Sequence, residues 1–201
     1  MDCFSRYNLG REERLRLDFI NNWSKHLNPK KGIYYDITSI SSYCTNIDFV
    51  EWGYNRDKEK LPQINLGMMC CQDSKLPLFY NLYPGSIVDV STLKNCITHL
   101  NILNLKDITL ILDRGFCSKK NILEMDKNEM KFIQPLSFSL KKTRELVKKH
   151  KKKLSSHSTA FKYNEELLHH VRDKIKLEEK EFNAHIFFNE AIYAAKESFF
   201  I

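Results

Sequence analysis

Two aspartates, Asp36 and Asp113, are the residues of this 201-residue chain whose type and setting suit bond-breaking chemistry. Asp36 lies within IYYDITSISSY (33–43), rich in β-branched and aromatic residues and read as a strand. An acid inside such a strand is costly unless it is paired or bound to something. Asp113 closes the short apolar run ITLIL (108–112) and opens Asp113-Arg114-Gly115-Phe116. A lone strand-end aspartate is more often a cap or turn residue, so the pair matters more than either member. Converging carboxylates could hold divalent cations, because hard ions such as Mg²⁺ prefer carboxylate oxygens and keep several waters. Two such ions about 3.5–4 Å apart activate a nucleophile and stabilise the leaving oxygen of a phosphodiester.

A second set of residues is basic. The run KKTRELVKKHKKK from Lys141 to Lys153 holds seven Lys and one Arg against one Glu, a net of +7. The whole chain also carries +7, so the remainder sums to zero and the basicity is local. Lys141, Lys142, Lys148, Lys149, Lys151, Lys152 and Lys153 are candidate contacts to DNA phosphates, which would give sequence-independent, salt-sensitive binding. The plainer reading of a charge run is a solvated helix face.

Other signals are weaker. His169-His170 with His185 suggests a metal site only until strand geometry is applied, since adjacent residues point to opposite faces. The six cysteines form no CxxC pair and read as reduced thiols packed as small hydrophobes. No Gly-rich phosphate loop occurs, and no Ser-His-Asp set falls in suitable slots. Hydrophobic content of 42% and aromatic content of 12% exclude a largely disordered chain. No apolar run approaches the roughly 18 residues of a membrane span. The start MDCFSRYNLGREER lacks a signal layout, so an intracellular, cytoplasmic protein with no membrane partner is expected.

The elements that must position the acids follow from periodicity and turn chemistry. Leu15, Phe19, Trp23 and Leu27 predict an amphipathic helix over 11–28, ended by Asn28-Pro29. After the first strand, 48–60 reads as a charged connection, and 61–71 and 76–85 as two strands joined by a turn. Residues 89–103 predict a helix with Val90, Leu93, Ile97 and Leu100 on one face, and Asp89 or Ser91 can cap it. The run 108–112, apolar on both faces, reads as a central strand covered on each side. Ser118 can cap a helix through about Met130, and 131–137 reads as one more strand. Strand, strand, strand, helix, strand, helix, strand is the ribonuclease H-like order, an α/β mixed sheet flanked by helices that sets the two acid-bearing strands side by side. Beyond Ser137 come a basic helix candidate (140–154), a hairpin (167–177 with 181–188) and the start of a helix (189–200). The expected organisation is a helical lead-in (1–30), a partial catalytic core (31–138) and a β-containing insertion at the C-terminal end (139–201).

YYDITSISSY around Asp36, EWGYNRDKEKLPQINLGMM (51–69), LPLFYNLYPGSIVDVSTL (76–93) and LILDRGF (110–116) together resemble the catalytic domain of DDE transposases of the insertion-sequence-four group. The similarity runs through about 30–137, with a weaker echo in HIFFNEAIYAAKE (185–197). It implies metal-dependent hydrolysis at transposon ends, then attack of the freed 3′-hydroxyl on target DNA, with two Mg²⁺ (or Mn²⁺) ions. Asp36 matches the first catalytic acid and Asp113 the second, both as metal ligands. Arg114, Gly115 and Phe116 match the motif beside the second acid: Gly115 for a tight turn, Arg114 for a phosphate or an ion pair. Asp89 falls in a motif beginning Pro84-Gly85, where helix capping is the expected role. The resemblance also implies DNA ends and target DNA as partners and a homodimer in the complete transposase. The departure is the third acid, a Glu within a Tyr-x2-Arg-x3-Glu-x6-Lys helix in this family. Tyr163, Arg172 and Glu178 have the wrong spacing, and Glu190 and Glu197 fall in the wrong element. Only 35 residues precede Asp36, so the chain reads as the middle of a longer protein or the product of a decayed element. Two rival functions therefore stand beside transposition: a DNA-binding or inhibitory remnant that does not cut, and a nuclease of the same fold acting on other nucleic acids.

Overall fold

The computed structural model describes residues 9–192 apart from 28, 30, 45, 55–59 and 106. The chain divides into two compact units, Met1–Pro135 and Leu136–Ile201.

Unit 1 runs α1 (Leu9–Leu27), β1 (Gly32–Ser41), β2 (Gln63–Cys71), β3 (Pro77–Pro84), α2 (Asp89–Ile102), β4 (Thr109–Leu112), a 3-10 turn (Arg114–Phe116), α3 (Lys119–Lys127) and β5 (Lys131–Ile133). Its five strands lie in the order β3-β2-β1-β4-β5. β2 is antiparallel to β1 and β3, whereas β4 is parallel to β1 and β5. This is the ribonuclease H-like sheet, with the helical crossovers that parallel strands require.

Alternation along β1 sorts its side chains. Ile33, Tyr35 and Ile37 are buried, while Tyr34, Asp36, Thr38 and Ile40 are exposed. Met69, Cys71, Leu110 and Leu112 join the buried side. Leu93, Cys96, Ile97 and Leu100 are the buried stripe of α2, close to the stripe expected from spacing. Ring contacts tie this core across elements, Tyr35 to Phe116 at 5.1 Å and Phe79 to His99 at 4.1 Å.

Several expectations are corrected. α1 is present, but among its described side chains Ile20 and Ser24 are the buried ones, while Leu15 and Phe19 are exposed. A strict four-residue spacing winds about 40° per step around a 3.6-residue helix, so such a stripe cannot stay on one face. Trp23 does meet the sheet edge, its indole N–H donating to the Pro77 carbonyl at 2.8 Å. β4 is not covered equally on both sides, since Thr109 and Ile111 are only half-buried. β5 stops at Ile133, two residues before Pro135, which has no N–H to give to a ladder.

Unit 2 comprises α4 (Lys141–His150), 3-10 turns at Lys153–Ser155 and His157–Thr159, and β6 (Ala160–Tyr163), β7 (Glu166–Leu177) and β8 (Lys180–Asn189) in one antiparallel sheet. Leu146, Leu154, Ile175, Leu177 and Ala184 are buried within it. The hairpin β7–β8 matches the expected pair of segments, whereas four-residue β6 was not expected. α4 ends at His150, so Lys151, Lys152 and Lys153 follow the helix rather than extend it. Of the expected final helix (189–200), residues 189–192 are described: Asn189 still ends β8, and Glu190 to Ile192 are helical.

Candidate functional site

The parallel pairing of β1 and β4 puts Tyr34 beside Ile111 and Tyr35 beside Leu112. One step further, Asp36 stands opposite Asp113, on neighbouring strands about 4.8 Å apart. Asp113 has left the ladder but keeps an extended backbone, with φ −76° and ψ 164°. Both side chains are exposed, on the sheet side carrying Tyr34 and Thr38. Register therefore brings together two acids that are 77 positions apart (113 − 36).

Each carboxylate has one oxygen engaged locally. The Ile37 N–H donates to Asp36 Oδ1 at 2.8 Å, and the Arg114 N–H donates to Asp113 Oδ1 at 2.5 Å. The second oxygen of each is available to a cation. Hard carboxylate oxygens suit Mg²⁺ or Mn²⁺, with waters completing the shell. Among the described residues no cluster of three or more His, Cys, Asp or Glu is placed to hold a metal ion.

The turn after Asp113 is held from below. The Phe116 N–H donates to the Asp113 carbonyl at 3.2 Å and the Cys117 N–H to the Arg114 carbonyl at 2.9 Å. Phe116 is fully buried against Tyr35. Tyr35 donates its hydroxyl to Thr92 Oγ1 at 3.0 Å. Burial pushes the Tyr35 phenol far above its ordinary range, so it stays neutral. Asn121, also buried, donates from Nδ2 to the Val90 carbonyl at 2.8 Å and the Phe116 carbonyl at 2.9 Å, tying the start of α2 to the turn. Ser118 caps α3 as expected, accepting from the Asn121 N–H at 3.0 Å. Sequence reasoning missed Asn121 because nothing in KKNILEM marks a helical Asn as a bridge.

Other candidates stand as follows. Gly115 is exposed and no described glycine has positive φ, so this 3-10 turn does not use a glycine's conformational freedom. The exposed Arg114 makes no side-chain ion pair among the described residues. Asp89 is the first residue of α2 rather than its cap; Val88 occupies the cap position without a side-chain bond, and Ser91 donates back to the Val88 carbonyl at 2.7 Å. An acid in the first turn still favours the helix dipole. A cleft of about 430 Å³ lined by Asn101, Asp107, Lys127, Asn128, Glu129 and Lys131 opens where β4 and β5 begin, away from the carboxylates.

In unit 2 the basic run splits. Lys141 and Lys142 pair with Glu145, and Lys149 pairs with Asp173 at 2.7 Å. Lys148, Lys151, Lys152 and Lys153 are exposed without an ion pair among the described residues. Asp173 also meets the buried His150 at 2.6 Å, and hydrogen bonds from His150 and Lys149 hold its carboxyl well below the usual range. The histidines separate as strand alternation requires. His169 is buried, with Nδ1 3.2 Å from the Ser156 carbonyl and Nε2 3.1 Å from Glu190, while His170 and His185 stack on the other side of the sheet. Glu190 is thus occupied by His169, Glu178 lies in the β7–β8 turn, and Glu197 is outside the described residues.

A family model described as a transposase DDE domain matches residues 28–197. No curated protein matches. Among solved structures, a pre-cleavage Mos1 transpososome is similar over 61% of this chain and 42% of that chain, at 12% identity and a TM-score of 0.38. A piggyBac transposase synaptic complex with hairpin DNA is similar over 79% of this chain and 32% of that chain, at 14% identity and a TM-score of 0.40. A Mos1 transposase paired-end complex is similar over 74% and 54%, at 12% identity and a TM-score of 0.37. The chain spans between 32% and 54% of the length of these proteins.

Proposed function

The chain belongs to the transposase DDE domain family, and we propose that it is the catalytic portion of an insertion-sequence-four-type transposase that cuts and joins DNA by divalent-metal phosphoryl transfer. The observation that carries this reading is the register that sets Asp36, midway along β1, beside Asp113, just past the carboxyl end of the parallel strand β4. Asp36 and Asp113 would hold the ions through the carboxylate oxygens that the Ile37 and Arg114 N–H groups leave free. When bound, Mg²⁺ or Mn²⁺ supplies activation of the attacking hydroxyl and charge stabilisation of the leaving oxygen. The Arg114 and Phe116 turn bonds keep the Asp113 carboxylate aimed outward, and the Arg114 guanidinium offers a fork to a phosphate oxygen of the strand being cut. Lys148, Lys151, Lys152 and Lys153 neutralise backbone phosphates without reading sequence.

The test is Mg²⁺- or Mn²⁺-dependent cleavage of a DNA carrying the element's inverted-repeat end. Asp36→Asn and Asp113→Asn should each abolish it while leaving the unfolding midpoint nearly unchanged, both side chains being exposed. Cleavage at the wild-type rate by either variant sinks the assignment of the acids. Tight DNA binding with no cutting in Mn²⁺ would instead make this chain a binding module. Equal cutting of RNA or of unrelated DNA would make it a nuclease of the same fold.

A further inference from the structure

The connection between β1 and β2 displays a group of exposed rings. Within residues 43–54, Tyr43 is 89% exposed, Tyr54 81%, Trp52 68% and Phe49 49%. Scattered exposed aromatics need no explanation, but here the backbone beneath them is fixed. Glu51 and Gln63 exchange both backbone hydrogen bonds, at 3.0 and 2.9 Å, and the Gly85 N–H donates to the Phe49 carbonyl at 3.1 Å. The strands of this crossing pass at a distance only glycine allows. A Cβ on Gly53 would lie 1.8 Å from the Gly85 carbonyl oxygen, and one on Gly85 would lie 2.1 Å from the Gln63 carbonyl oxygen. Two buried amides complete the lock. Gln63 Nε2 donates to the Tyr54 carbonyl at 3.0 Å, and Asn65 Nδ2 donates to the Gly85 carbonyl at 3.2 Å and the Ile87 carbonyl at 2.8 Å. Phe49 is held at φ 70°, a left-handed conformation unfavourable for a bulky residue. Buried polar groups and a strained residue thus fix a loop whose rings face solvent.

The loop lies at the chemically relevant end of the sheet. Ser41, the last residue of β1, pairs with Gln63, which in turn pairs with Glu51. Five residues of strand separate Asp36 from Ser41 (41 − 36), about 16 Å at strand rise. Two strand spacings, from β1 through Gln63 to Glu51, add about 10 Å sideways. The loop therefore stands about 19 Å from Asp36, roughly five to six steps of stacked bases at about 3.4 Å. β4 releases Asp113 at the same end. The sequence after Tyr54 adds Arg56, Lys58 and Lys60 against Asp57 and Glu59.

We infer that Trp52 and Tyr54 form a stacking site for unpaired bases of the DNA strand whose phosphodiester lies at Asp36 and Asp113. This rests on the DNA-processing reading above. A rigid indole and phenol with open faces suit bases of any sequence, because every base has a π face. In a duplex those faces are hidden, so the site takes bases freed near the cut.

The experiment uses the full chain with Trp23→Phe, which leaves Trp52 as its single indole. A mixed-sequence single-stranded oligonucleotide is titrated while indole emission and the anisotropy of a fluorescein label on the DNA are both followed. Stacking requires strong quenching of Trp52 in parallel with binding, and weaker quenching by the same sequence as a blunt duplex. Trp52→Ala, at a side chain too exposed to support the fold, should weaken single-strand binding roughly five- to a hundred-fold, and Trp52→Phe should restore most of it. Binding by anisotropy with unchanged Trp52 emission, or equal quenching by the duplex, overturns the inference and leaves the DNA reading standing. Absence of any DNA binding overturns both.

Discussion

Asn121→Ala probes how the second acid is held. Its amide makes two hydrogen bonds of 2.8 and 2.9 Å from a residue only 8% exposed, one to the first turn of α2 and one to the Phe116 carbonyl. Each is worth about 1 kcal/mol net, and leaving an interior carbonyl unpaired costs about 1–3 kcal/mol. Together these predict a loss of about 2–4 kcal/mol, a large part of the roughly 5–15 kcal/mol that stabilises a domain. In urea, with a slope of about 2 kcal/mol per molar, the midpoint should fall by about 1–2 M. Ser118→Ala is the control, because it removes the cap bond to the Asn121 N–H but leaves the bridge, and should cost only about 1 kcal/mol. Asn121→Asp should be worse than alanine, since a carboxylate would face two carbonyl oxygens. Circular dichroism against urea gives the three values. A loss below about 0.5 kcal/mol for Asn121→Ala would refute the reasoning, and would mean that the Phe116–Asp113 and Cys117–Arg114 backbone bonds hold the turn unaided.

Replacing Lys148, Lys151, Lys152 and Lys153 by Gln should weaken duplex binding and reduce the slope of log K against log salt by about 3–4, about 0.9 per residue, whereas the same change at Lys141 and Lys142, already paired with Glu145, should reduce it by less than about 0.5 per residue. An equal effect per lysine would contradict the division between paired and unpaired lysines of the basic run. Because His150 and Lys149 depress the Asp173 carboxyl, its contribution to stability is complete above its unfolded value near about pH 4 and drains away as acid approaches the lower folded value. Asp173→Asn should therefore flatten the decline of unfolding temperature below about pH 4, and an unchanged acid limb would count against the interaction. Gly85→Ala should cost about 3 kcal/mol or more in a denaturant titration, because its new Cβ would meet the Gln63 carbonyl at 2.1 Å, while Gly115→Ala should stay within about 0.5 kcal/mol.

Much of unit 1 was legible because its cues are local. Apolar runs, the Ser118 cap and the turn between β2 and β3 fix elements within a residue or two of where they stand. Helix facing was less legible: α1 buries Ile20 and Ser24, a choice made by its contact with β3 rather than by its own sequence. The acid pair was legible through strand order, yet its support was not. Asn121, Thr92, Gln63 and Asn65 act through contacts of 5 to 57 positions that no short pattern announces. Residues 48–60 read as a charged connection because their charges outnumber their rings; the glycine crossing at Gly53 and Gly85 makes the stretch from Phe49 to Tyr54 a fixed platform. The basic run was legible as composition, but which lysines are free depends on Glu145 and Asp173.

The two acids are placed by the core rather than by each other. Each accepts from the backbone N–H of the residue that follows it, and a pair of like charges has no reason to converge unaided. What aligns them is the burial of their neighbours. Tyr35 and Ile37 flank Asp36, Leu112 precedes Asp113, and all three are 4% exposed or less. Strand side chains alternate with a period of two, so a one-residue slip of β4 would bring Leu112 out and leave Asp113 against Tyr35. The apolar cost of that slip is about 1.5–3 kcal/mol for each large side chain exposed, added to the penalty of burying a carboxylate. Repulsion between two exposed carboxylates in water is about 1 kcal/mol at 4 Å. The core therefore outweighs the repulsion and keeps both acids side by side on the exposed side of the sheet, and a cation bound between them would remove the one unfavourable contribution that remains.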